Sequence, residues 1–88
     1  MKIQIIGPKK DPAFQIIQQH FLQAIHELQV EATLDEVTDV KEISNYPLSL
    51  YPAIYINNKL VCQGHSITLE QAKQCIRDYI LDKDERHD

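Results

Sequence analysis

Residues 2–14 read Lys2-Ile3-Gln4-Ile5-Ile6-Gly7-Pro8-Lys9-Lys10-Asp11-Pro12-Ala13-Phe14. Lys2 to Ile6 is a short β-branched run closed by Gly7-Pro8, the pattern of a buried strand that ends in a turn. Asp11 before Pro12 supplies an N-cap acceptor and a proline at the first helical position, where the missing N–H has no intrahelical partner to lose. A strand, a turn and a helix start thus follow one another directly. Beyond Pro12, the residues Phe14, Ile17, Phe21, Ala24, Ile25 and Leu28 recur at three- and four-residue intervals and form one apolar stripe. Ile16 and Leu22 widen that stripe, which predicts a well-covered helix.

Outward from this unit, Val30, Ala32 and Leu34 alternate with Glu31, Thr33 and Asp35, a period of two that predicts a strand ending at Val37. Asp39 with Glu42 three positions later resembles a capping box, and the short helix it opens should stop before Pro47. Two more strands, Ala53 to Ile56 and Lys59 to Gln63, flank Asn57-Asn58, a pair that tolerates positive φ and predicts a tight two-residue hairpin. Thr68 and Gln71 form a second capping-box pair, followed by Leu69, Ala72, Ile76, Tyr79 and Ile80 at helical spacing. The expected order is β-α-β-α-β-β-α. Its first three elements make a right-handed parallel crossover, and the closing hairpin adds antiparallel strands. The fold class is α/β, a four-stranded mixed sheet flanked by helices. A ferredoxin-like order would place its hairpin in the middle and end on a strand. One domain is expected over residues 1–81, with 82–88 as a charged flexible C-terminal tail.

In this order and spacing the chain resembles the small thioredoxin/glutaredoxin-like proteins, the redox-active disulfide proteins, from Lys2 to about Leu81. The resemblance rests on Lys2-Ile3-Gln4-Ile5-Ile6-Gly7, on Val37-Thr38-Asp39-Val40, on Tyr51-Pro52-Ala53-Ile54 with Asn57, and on Gly64 followed by Thr68-Leu69-Glu70. It implies a thioredoxin-like fold with Pro52 at the family's cis-proline position. The family places CxxC at the start of the first helix, where free N–H groups and the helix dipole lower the cysteine pKa. The two matching positions here hold Lys10 and Ala13, so the dithiol mechanism does not carry over to them. In the family the groove beside the cis-proline receives an extended peptide by backbone pairing. Tyr51 departs from the small polar residue usual before that proline, and its ring is expected beside Lys10 and Phe14. The candidate binding residues are therefore Lys10, Asp11, Phe14, Tyr51 and Pro52, with no catalytic residue expected.

Each candidate has a plainer reading. Lys9, Lys10 and Asp11 read either as an anion pocket at a helix N-terminus or as a solvated loop with a capping aspartate. Tyr46, Leu48, Leu50 and Tyr51 read either as a contact surface or as packing of a loop onto the domain. Cys62 and Cys75 read as buried free thiols, the alternative being thiol-disulfide chemistry through Cys62, alone or with Cys75. Cys62-x-x-His65 supplies one ligand pair where structural zinc needs two, and His20 and His26 fall on different sides of their helix. No metal and no cofactor are expected.

Composition bounds the function classes. The chain has 88 residues, 43% of them hydrophobic, with Lys+Arg 9 against Asp+Glu 13 and a net charge of −4. Such a balance offers no cationic footprint for a phosphate backbone, which argues against nucleic acid. Apolar runs of a few residues are far short of the roughly 20 needed to cross a bilayer. MKIQIIGPKK lacks a signal-peptide core and a small-residue cleavage site, and two cysteines make no disulfide framework, so a cytoplasmic location is expected. The reading is of a non-catalytic thioredoxin-fold module that binds a protein or peptide partner, as a monomer or homodimer.

Overall fold

Strand β1 (Lys2–Ile6) lies inside the sheet of the computed structural model, which describes residues 1–47, 49–64 and 66–85. The element order is β1, α1 (Pro12–Leu28), β2 (Thr33–Val37), α2 (Val40–Ile43), β3 (Ala53–Ile56), β4 (Lys59–Gln63) and α3 (Leu69–Glu85). The sheet runs β2-β1-β3-β4, with β1 and β2 parallel and the other two pairings antiparallel. This is the mixed four-stranded α/β arrangement expected from the sequence.

Alternation along β1 divides the core in two. Ile3 and Ile5 face the same side as Ile54 and Ile56, where they meet Phe14, Ile17, Phe21 and Ala24 of α1 and Ala72 and Ile76 of α3. Ile6, in register with both Val37 and Ala53, is buried on the other side. There the ring of Tyr46, which follows α2, meets Tyr55 edge-on with centroids 5.1 Å apart.

The structure departs from the sequence reading at three places. β2 begins at Thr33 and not at Val30, because its partner β1 begins at Lys2, opposite Thr33, and earlier residues have no strand to pair with. Ile16 and Leu22 are 55% and 46% exposed, so α1 is covered along one stripe and not around it; the residues beside the stripe point past the sheet. Helix α3 takes in 82–85, which the sequence reading placed in the tail, while 86–88 lie outside the described residues.

Caps fix the helix ends. Asp11 accepts the Ala13 N–H at 3.0 Å, and Asp39 accepts the Lys41 N–H at 2.9 Å. Thr68 and Gln71 form the reciprocal box: the Thr68 N–H donates to Gln71 Oε1 at 2.8 Å and the Gln71 N–H to Thr68 Oγ1 at 3.1 Å. Among the described residues no helix is long and apolar enough to cross a membrane.

Candidate functional site

The turn after β1 brings the N-terminus of α1 against the start of β3. Gly7 makes this approach possible, since a Cβ there would lie 3.3 Å from the Pro52 Cα and 3.6 Å from Phe14 Cδ2. Phe14 and Pro52, both expected in the groove, both lie against Gly7 and are fully buried. They support the surface from beneath and offer it no exposed atoms. The Tyr51–Pro52 peptide bond is cis. Gly64, at φ +116°, lets the end of β4 turn so that its N–H donates to the Pro52 carbonyl at 2.9 Å.

Asp11 spends its carboxylate on the helix, and its carbonyl accepts the Phe14 N–H at 3.0 Å. The capping reading of this residue therefore accounts for donors that an anion would otherwise use. Lys9 reaches β2, where its Nζ lies 3.2 Å from Glu36 Oε2. A hydrogen bond from the Gln18 amide, with Lys9 beside it, holds the Glu36 carboxyl below its ordinary pKa. Lys10 is exposed.

Next to Lys10 is a surface hollow of about 340 Å³ lined by Pro8, Lys9, Lys10, Thr38, Val40 and Ile43. Val40 is 79% exposed, far more than its side chain would be if α2 packed it inward. The nearby loop divides between the two readings the sequence allowed. Tyr46 packs on Tyr55, Tyr51 is half-buried, Leu50 is 51% exposed, and Leu48 lies outside the described residues. Val40 and Ile43 were missed as site residues because a four-residue helix shows no periodicity from which a face can be read.

A second concave region lies between β4 and α3. A pocket of about 450 Å³ is lined by Cys62, Gln63, Gly64, Ser66, Ile67, Gln71, Gln74, Cys75 and Asp78. Both cysteines are free and half-buried, and both belong to this lining. Sequence reading gave buried free thiols first, with thiol-disulfide chemistry through Cys62, alone or with Cys75, as the alternative, and did not place the two in one pocket. One signal for their pocket was available: Gln71, Gln74, Cys75 and Asp78 repeat at helical spacing on a face of α3 distinct from the Ala72-Ile76 stripe. His65 lies outside the described residues. Among the described residues no three His, Cys, Asp or Glu side chains converge as a metal site would need.

Comparison with curated proteins and with solved structures gives no match. Comparison with protein families matches residues 1–77 to the family described as Thioredoxin domain. The match takes in β1, the α1 N-terminus, the β3–β4 hairpin and the first half of α3. The chain belongs to the thioredoxin-domain family.

Proposed function

We infer that this thioredoxin-domain chain is a non-catalytic module that binds an extended segment of a protein partner at the hollow beside the α1 N-terminus. The observation that carries this reading is the hollow itself, where Pro8, Val40 and Ile43 supply apolar lining and Lys10 an exposed cation beside the Lys9–Glu36 pair. Such a surface suits an apolar side chain flanked by an acidic one. Lys10 and Ala13 occupy the family's two cysteine positions, and neither side chain can exchange a disulfide. Lys10, Val40 and Ile43 are the contact residues in this reading, and the Asp11 cap and buried Phe14 hold the start of α1 beside them.

Two measurements test it. Insulin reduction at the background rate is expected, and turnover comparable with a dithiol oxidoreductase overturns the non-catalytic part. A random peptide library selected on the immobilised chain should yield extended, acidic-apolar sequences that bind Val40→Glu and Lys10→Glu variants at least about tenfold more weakly, the loss of roughly 1.4 kcal/mol. Peptides that bind chain and variants alike place the binding surface elsewhere and overturn the reading.

A further inference from the structure

The hairpin that carries Cys62 is not regular. Asn57-Asn58 pairs Ile56 with Lys59 and Tyr55 with Leu60, and the register then shifts so that Cys62, not Val61, stands opposite Ile54. Val61 is the extra residue of a β-bulge. Paired residues share a face of the sheet, so the shift puts Cys62 on the side of Ile54, toward α1 and α3. Without the bulge, Cys62 would stand opposite Ala53, whose partner Ile6 belongs to the other face. The bulge is thus what puts Cys62 on the face of the sheet that α3 covers, in the pocket it shares with Cys75.

The two thiols share a pocket and are not sealed in the core. Both line the 450 Å³ cavity, within the roughly 300–1,000 Å³ typical of small-molecule sites, and their neighbours include the amide groups of Gln71 and Gln74. The Cys62 hydrogen bond holds the Cys75 thiol below its ordinary pKa, against burial and the Asp78 carboxylate, both of which push it up. The same contact, with burial adding to it, pushes the Cys62 thiol up. The pair therefore divides into a better anion and a better proton donor. The β1–α1 turn, where the family keeps its dithiol, lies two strands away across the sheet.

We propose that Cys62 and Cys75 form a second, displaced dithiol site that exchanges with low-molecular-weight aliphatic disulfides entering the β4–α3 pocket. The Cys75 thiolate attacks one sulfur of the disulfide; that S–S bond breaks and half of the molecule leaves as a thiolate, giving a mixed disulfide on Cys75. Cys62 passes its proton to the departing thiolate and attacks the Cys75 sulfur. The Cys62–Cys75 bond forms, and the second half leaves as a thiolate that takes a proton from solvent. The chain loses two electrons and two protons, and one disulfide becomes two thiols. A concave pocket with half-covered sulfurs admits such a small molecule and keeps out the disulfide of a large folded protein. The site uses none of the residues of the binding surface above, and with it the non-catalytic description holds for the α1 N-terminus alone, so binding there and exchange here can each fail separately.

The test incubates the reduced full-length chain with bis(2-hydroxyethyl) disulfide under native conditions and follows intact mass. Expected is a product lighter by two hydrogens, with the bond mapped to Cys62–Cys75 by peptide mass. Cys62→Ser should stop at a mixed disulfide on Cys75, and Cys75→Ser should react at Cys62 about tenfold more slowly or worse. Two thiols that stay unmodified until the chain is denatured overturn the proposal, as do mixed disulfides that accumulate without closure. The wild-type measurement decides by itself if either variant fails to fold.

Discussion

Gly7 and Pro52 approach so closely that a Cβ added at Gly7 would lie 3.3 Å from the Pro52 Cα. The obstructing atom is backbone, and the third member of the contact, Phe14, is fully buried, so neither neighbour can swing aside as a flexible side chain would. Gly7→Ala should destabilise the fold by about 1–3 kcal/mol, the range for forcing a methyl group into packed surroundings. Urea unfolding gives the check, read as a lower midpoint at unchanged slope. An unchanged midpoint would mean that the β1–α1 turn yields more than its packing indicates.

Asn57 ties three elements together. At φ 47° it starts the hairpin turn, its Oδ1 accepts the Lys2 N–H at 2.8 Å, and its Nδ2 donates to Tyr79 Oη at 2.8 Å. Asn57→Gly keeps the backbone conformation and loses both side-chain bonds, a cost of about 1–2 kcal/mol at these exposed sites. Asn57→Ala loses the same bonds and adds the left-handed penalty, roughly 1–2 kcal/mol more. Thermal melts should therefore rank wild type above Asn57→Gly above Asn57→Ala. Equal melting temperatures for the two variants would remove the backbone part of this account.

Lys73 of α3 lies 2.7 Å from Glu27 of α1, with Glu70 at 3.6 Å. The Lys73 hydrogen bond is the main cause that holds the Glu27 carboxyl below its ordinary pKa of 4.5, and in return it raises the Lys73 ammonium above 10.5. A lowered carboxyl contributes stability that is present above the ordinary glutamate value and lost as pH falls through the lowered one. A raised ammonium contributes below its ordinary value and loses that contribution as pH rises through the raised one. Glu27→Gln should lower the melting temperature at neutral pH and flatten its decline on acidification. A pH profile parallel to that of wild type would show that the pair leaves the α1–α3 contact unaffected. Glu36, lowered by Gln18 and Lys9, acts in the same sense on the acid side and remains in the variant as an internal reference.

The order β-α-β-α-β-β-α was legible because each element announces itself locally. Asp11-Pro12 starts α1, Asn57-Asn58 turns the hairpin, and Thr68 with Gln71 caps α3 through bonds formed within a few residues of one another. The β1 apolar run and the α1 stripe likewise need only their own periodicity to be recognised. From these pieces the sequence alone determined the thioredoxin-like architecture, and the resemblance puts Lys10 and Ala13 at the family's two cysteine positions at the start of α1.

What surrounds that place was settled only in three dimensions. Phe14 and Pro52 were candidates for a groove, yet both are buried against Gly7, an approach that leaves no mark on local spacing because Gly7 and Pro52 are far apart in the chain. Val40 and Ile43 became surface residues through the placement of a helix too short to have a readable face. The bulge at Val61 moved Cys62 to the α3 side of the sheet and into the pocket it shares with Cys75. Sequence fixes which residue follows which, whereas a register shift of one residue exchanges the two faces of a strand, and that choice is made by the packing of the whole sheet.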